Sequence, residues 1–572
     1  MGSNVRLTEA SAGKVKKRFE EEGKGKDFSD ESWRPPNVLC SNWRLGKVVW
    51  SELNLGAGTV PGLASRIRKG AMTDSEPVKL AKKWKGFGPK LRQLMMDPDG
   101  TEVDDRGFFE APEHLDSPIA SWYPPLKEPR SEAHRRGWGT VHWDSYGAFL
   151  MFLEETLNSV PNVTTQVSGQ QPRGAGEDPG FLSGILLPSY RDASPLPKTL
   201  WPDEQEQKNV RKFQYPVHAV GYNWIQSNYD SARHLQKKIK EFIGAYKKAG
   251  FLCEQVILVS HSMGGLVSRI CQKMDKENLI LGIIHGVMPA TGAPLAYRRL
   301  VAGLEGGGRA SLDLLNVLDN LAGANTYETT PVVANSPGAL ELLPSHLYPK
   351  GWLKAEQMIP QKTLFALPTG DNPYDEIYKQ KDVWYRLVNP DLLDPAKKYG
   401  EKLSKNSPDK AWEAYTSRMT DVEKVHRNWL GERDYHKNTY VYYGEGESTF
   451  ASIRWQLSRA SDEFSREELL EAVQRRELGG GHGQREVLVN RPGPGSASAP
   501  EARITSAQVL LHDSTGDGTV PVESGQAPGK AVSNICRLNG FDHQGSYGSD
   551  IARVFSLLSI AKLTALSSLA KG

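Results

Sequence analysis

The chain has 572 residues, enough for one large core with long insertions or for roughly two to four domains. Its 71 Lys and Arg against 68 Asp and Glu leave a net charge of +3, with both signs interspersed and no long basic block, which sets nucleic acid aside as a partner. Cys40, Cys253, Cys271 and Cys536 lie far apart without a Cys-x-x-Cys pair, so they indicate buried thiols rather than a zinc site or a disulfide framework.

Taken in chain order, a polar, charged start gives way at 46–55 to a short strand predicted at Lys47-Val48-Val49-Trp50. An irregular Trp- and Pro-rich region follows to about 208. It holds one predicted amphipathic helix, 145–158, with Phe149, Phe152, Leu153 and Leu157 on one face, then polar turn-rich sequence at 159–179. This region reads as an insertion over a core. Core periodicity begins with a predicted strand at 215–221 and continues through a charged helix at 231–248 that Gly250 ends. Next come an apolar run at 256–259, a helix, and a second apolar run at 280–287. Alternating strands and helices imply a parallel sheet with right-handed crossovers.

From 295 to 437 the pattern is irregular again, with a stripe at Leu312, Leu315, Leu318 and Leu321 that reads as packing, a mobile lid helix being the alternative. A strand is predicted at 439–443, a charged helical segment at 465–477, and flexible loops at 479–483 and 491–496. No stretch reaches the roughly 18 to 20 apolar residues that a membrane span needs. The most apolar tail, 554–570, is interrupted by Lys562, and the chain reads as soluble and cytoplasmic as made.

The most informative stretch is Val256-Ile257-Leu258-Val259-Ser260-His261-Ser262-Met263-Gly264-Gly265, a β-branched run that breaks into a small-residue turn and then a helix. A sharp strand-to-helix turn of this kind projects a serine oxygen from a sheet while the next backbone N–H points at a developing oxyanion. Ser262 is therefore the candidate nucleophile and the Met263 N–H a candidate oxyanion donor. Ser260 replaces the first glycine of the usual G-x-S-x-G pattern and is a rival nucleophile, ranked lower because Gly264 follows Ser262 at the proper offset.

A serine hydroxyl needs a histidine to take its proton, and that histidine needs a carboxylate to fix its tautomer. In an α/β hydrolase they follow in the order Ser, acid, His. After a strand expected at 507–511, Ser514-Thr515-Gly516-Asp517-Gly518-Thr519-Val520-Pro521 forms a Gly-flanked acidic turn, and Asp517 is the candidate acid. The run 535–538 leads into Asn539-Gly540-Phe541-Asp542-His543-Gln544-Gly545, a loop before a final helix, which makes His543 the candidate base. Asp513, His512, Asp542 and Glu445 rank below: Asp513 lacks the glycine-flanked turn, and His512 precedes the acid.

These motifs resemble the lecithin:cholesterol acyltransferase-like lipases, a branch of the α/β hydrolases that includes phospholipases and acyltransferases. Gly221-Tyr222-Asn223-Trp224-Ile225-Gln226-Ser227-Asn228 resembles the branch's G-Y-D-W-R-x-S-N element, with Asn223 for its Asp and Ile225 for its Arg. Tyr442-Tyr443-Gly444-Glu445-Gly446 resembles its Y-G-x-G strand end, and the segments around Asp517 and His543 resemble those carrying the family acid and histidine. Large insertions and Arg136-Gly137-Trp138-Gly139-Thr140-Val141-His142-Trp143 are similar to bacterial members, especially antibacterial lipase effectors of type VI secretion.

The resemblance implies an α/β-hydrolase fold with a mostly parallel central sheet and large cap or lid insertions. It divides the chain into 1–60, the start of the core; 61–208, a partly helical insertion; 209–294, the core with the elbow; 295–436, a cap or lid; and 437–572, the C-terminal core with a flexible insertion near 447–503. It also implies lipid or phospholipid substrates, transient contact with a membrane surface, export to target-cell membranes, an immunity protein as partner, and no cofactor or metal. The stretch 97–105 is acidic but lacks the spacing of a calcium loop and reads as a solvated turn.

Met1-Gly2-Ser3-Asn4 resembles the second half of the family's P-G-x-M-G-S-N motif, whose backbone supplies the other oxyanion donor. Met1 is then the second candidate donor, and a strand is expected upstream of it. Within this reading, acyl transfer to an alcohol is the alternative to hydrolysis, and a binding protein on a weakened hydrolase scaffold is the alternative to an enzyme.

Overall fold

Among the described residues, four parallel strands form the central sheet, in the order Asn534–Asn539, Thr439–Glu445, Ile280–Gly286, Val256–His261. The structure is a computed structural model that describes residues 3–33, 87–112, 129–158, 194–303, 323–358, 361–400, 409–458, 464–491, 501–509 and 514–570. Successive side chains of a strand leave on opposite faces, and the apolar run of Ile280–Gly286 uses both. Ile283 packs with Ile239, Ile243, Val267 and Ile270 under the helices Asn228–Lys248 and Gly264–Met274. Its neighbour Ile284 packs with Phe149, Leu153, Phe555 and Leu558 under the helices Trp143–Asn158 and Asp550–Thr564. Helices on both faces of a parallel sheet bury an apolar run of this kind completely.

The predicted amphipathic helix forms as Trp143–Asn158, and Phe149, Leu153 and Leu157 face the sheet as their spacing requires. Ser227 caps the helix Asn228–Lys248 by accepting the Tyr229 N–H, and Gly250 ends it in the left-handed region at φ 87°.

The stretch 215–221 is extended but is not a ladder strand, contrary to the expectation from its pattern. Three of its backbone donors are taken by partners outside any strand. The Val217 N–H donates to Glu154 Oε2 at 2.9 Å, the Ala219 N–H to the Arg136 carbonyl at 2.9 Å, and the Gly221 N–H to Thr140 Oγ1 at 2.8 Å. Arg136, 1% exposed between Glu132 and Glu154, ties this stretch to the inserted helices.

The later insertions differ more. Leu353–Met358 and Ile453–Leu457 pair in parallel and join two regions, one expected as irregular and one as flexible, in a sheet of six strands among the described residues. The segment 465–477 divides into the short helix Arg466–Glu471 and the strand Val473–Leu478, which forms a hairpin with Gln484–Arg491 across the Gly479–Gly483 turn. The flexible segment expected near 447–503 is thus built mainly of strands, with the short helix Arg466–Glu471 between them, over its described part. Arg485 explains why it holds: its guanidinium donates to the Trp384 and Arg386 carbonyls and to Glu477, and lies 4.9 Å over the Trp455 ring. The strand expected at 507–511 is Glu501–Val509 of this sheet.

At the start of the chain, Val5–Leu7 joins Glu31–Trp33 and Thr101–Val103 in a separate antiparallel sheet, while the Asn4 N–H reaches the Thr140 carbonyl. The strand predicted at 47–50, the leucine stripe at 312–321, the loop at 492–496, and Met1, His512 and Asp513 lie outside the described residues.

Candidate active site

Ser262 ends the Val256–His261 strand at φ 54°, in the left-handed region that a non-glycine residue adopts only where its surroundings demand it. The demand comes from both sides. The Ser262 N–H donates to the Gly286 carbonyl at 2.9 Å, and the Ser262 carbonyl accepts the Gly265 N–H at 2.9 Å. A Cβ at Gly264 would meet the Ser260 Cβ at 3.8 Å, an ordinary contact, so a serine at 260 fits the turn. The glycine with no room is Gly265, where a Cβ would fall 2.5 Å from the Met288 side chain.

Asp517 follows the short strand Ser514–Gly516, which pairs with Glu447–Thr449. It is 1% exposed, and its Oδ1 accepts the N–H groups of Thr519 at 2.9 Å and Val520 at 2.7 Å. Those two bonds leave Oδ2 for His543 Nδ1 at 2.8 Å. His543 Nε2 lies 2.8 Å from Ser262 Oγ, and the His543 N–H donates to the Asp517 carbonyl at 2.7 Å. A carboxylate only accepts, so Nδ1 carries the ring hydrogen and Nε2 presents its lone pair to the serine hydroxyl. The three residues thus form one directional hydrogen-bonded chain.

The sequence rivals are engaged elsewhere. Ser260 is buried and its Oγ sits 2.7 Å from His285 Nδ1, a ring whose pKa burial lowers to about 3. Glu445 pairs with Arg537 at 3.2 Å, and Asp542 Oδ1 accepts the Gly545 N–H at 2.6 Å. The Met263 N–H donates to no acceptor among the described residues, leaving it free beside Ser262. In the acidic stretch, Lys398 Nζ lies 2.7 Å from Asp97 and 2.9 Å from Asp99, so an ammonium group stands where a cation would.

Residues 203–304, from the helix before the extended 215–221 stretch through the elbow, match a family described as a PGAP1-like alpha/beta domain. With the helix-covered parallel sheet and the serine at its strand end, this decides the fold. The chain is an α/β hydrolase by fold. The crystal structure of the Tle4–Tli4 complex contains a chain similar to this hydrolase at 25% identity and a TM-score of 0.68, over 99% of this chain and 97% of that one. Phospholipase PlaB from Legionella pneumophila is 11% identical over 55% of this chain and 82% of its own, with a TM-score of 0.12 that carries no weight. No curated protein matches the hydrolase.

Two further features bear on chemistry. Among the described residues no group of three or more His, Cys, Asp or Glu is placed to hold a metal ion, and no helix is long and apolar enough to cross a membrane. Sequence reasoning missed His261, which contacts the His543 backbone, and Tyr146 behind it. The available signal was a histidine directly before the serine.

Proposed function

We propose that this hydrolase cleaves acyl esters of lipids, most specifically as a phospholipase A, through an acyl-serine intermediate. The unbroken chain Ser262 Oγ, His543, Asp517, with both links at 2.8 Å, carries the reading. His543 Nε2 takes the Ser262 proton as the oxygen attacks the ester carbonyl, and Asp517 balances the imidazolium. The free Met263 N–H receives the oxyanion, a contact typically worth about 10²- to 10³-fold in turnover, with the Met1 backbone as the second donor. His543 then passes its proton to the leaving alcohol, and water repeats the sequence to release the fatty acid. The inserted segments cap the site and meet the lipid surface.

The likeness, over 99% of this chain, to a protein crystallised with a partner supports a further reading, an antibacterial effector of type VI secretion that is exported to target-cell membranes and blocked at home by an immunity protein. Ser262→Ala tests the chemistry. Its fatty-acid release from phospholipid vesicles and its labelling by a fluorophosphonate probe should both vanish while the thermal transition is kept. Unchanged release would overturn the assignment, and product esters formed with an added alcohol would redefine it as acyl transfer.

A further inference from the structure

His261 precedes the serine, and both of its ring nitrogens are committed. Nε2 lies 2.8 Å from the His543 carbonyl oxygen, and Nδ1 lies 3.2 Å from the Tyr146 hydroxyl. A carbonyl only accepts, so Nε2 carries the hydrogen. A neutral ring then has its lone pair at Nδ1, which makes the Tyr146 O–H the donor there. The contacts run from the His543 carbonyl through His261 to Tyr146.

Each member is itself held. Tyr146 stands on the inserted helix Trp143–Asn158, whose Phe149 stacks on Tyr547 with ring centroids 3.9 Å apart and planes within 7°. The His261 ring centroid lies 5.3 Å from that of Tyr547 and 5.1 Å from that of His543. Desolvation, and then the nearby His543, push the His261 pKa well below the ordinary histidine range, so the ring stays neutral while His543 gains and loses its proton.

We propose that His261 is a positioning residue for the base: its neutral Nε2–H tautomer, fixed by Tyr146, anchors the His543 carbonyl and keeps the imidazole in line with both Ser262 and Asp517. The proposal rests on the serine-hydrolase reading above. The His543–Gln544 peptide lies in a loop beyond the end of the Asn534–Asn539 strand, so its carbonyl contact limits rotation of the residue that must face two partners at once. An Å of misplacement can cost about 10²-fold in rate. The same path of contacts ties the inserted helix to the base, so the insertion contributes to the catalytic geometry as well as to the cover of the sheet.

The test uses the full chain with His261→Leu, His261→Gln and Tyr146→Phe, each checked for an unchanged thermal transition. With a soluble p-nitrophenyl ester, His261→Leu should lose about 10- to 100-fold in kcat with KM nearly constant. His261→Gln, whose amide N–H can reach the same carbonyl, should recover most of the loss, and Tyr146→Phe should fall between. In ¹⁵N-histidine spectra of the wild type, the resonance absent from His261→Gln should be neutral and Nε2-protonated. Full kcat in a folded His261→Leu, no recovery in His261→Gln, or an Nδ1-protonated resonance would overturn the proposal. A wild type with neither ester turnover nor fluorophosphonate labelling would instead refute the hydrolase reading, and the tautomer would still decide the geometry claimed for His261.

Discussion

Gly444 lets Asp517 approach the sheet: a Cβ at Gly444 would stand 2.6 Å from the Asp517 Cβ and 3.2 Å from the Phe541 ring. The glycine of the Y-G-x-G strand end is therefore required for space, since its side-chain position is where the carboxylate segment packs. Gly444→Ala should move Asp517 away from His543 and lower kcat by about 10²-fold, as a displacement of roughly 1 Å does in a preorganised site. Single-turnover acylation by a p-nitrophenyl ester measures this directly, and a folded variant acylated at the wild-type rate would contradict the steric account.

Asp517→Asn makes a separate prediction about the tautomer. Oδ1 is fixed as an acceptor by the Thr519 and Val520 N–H groups, so the asparagine oxygen will keep that place and turn its amide hydrogens towards His543 Nδ1. The ring must then carry its hydrogen on Nε2, where it can no longer accept from Ser262. Turnover should fall by about 10⁴-fold with little change in thermal stability. A loss below tenfold would mean that the carboxylate does not set the tautomer.

How far the site could be read from sequence depended on how local its cause was. The meeting of Ser262, Asp517 and His543 was legible because each stands at a strand end in a fixed order, and small residues beside them leave a local trace. The sheet face of Trp143–Asn158 was legible from its 3.6-residue spacing. The stretch 215–221 has the apolar pattern of a strand, yet its hydrogen bonds go to Arg136, Thr140 and Glu154, distant partners that periodicity cannot register. The hairpin of Val473–Leu478 and Gln484–Arg491 was hidden for the same reason. Its charged residues suggest a solvated helix until Arg485 is seen against Trp384, Arg386 and Glu477 from across the sheet. The contacts of His261 leave no trace in the sequence, because its carbonyl and hydroxyl partners are brought together only by the fold.

Glu341 gives the last prediction, a pH dependence of stability. The side chain is 1% exposed at the start of the helix Asn228–Lys248, where Oε1 accepts the Ser227 hydroxyl at 2.7 Å and Oε2 the Asn228 N–H at 2.8 Å. Burial raises its pKa from 4.5 to about 7, outweighing the hydrogen bonds from Ser227 and Asn228 that favour the anion. The folded chain therefore binds this proton more tightly than the unfolded chain. The stabilisation is complete below the unfolded value of 4.5 and is lost as pH rises through about 7. Glu341→Gln imitates the protonated acid: its amide can donate to Ser227 while its oxygen accepts from Asn228. Measured against this variant, the wild type should lose relative stability between about pH 5 and about pH 8, by at most about 3 kcal/mol for a shift of this size. Thermal transitions of both proteins across that range provide the check, and a flat difference between them would show that Glu341 is ionised throughout.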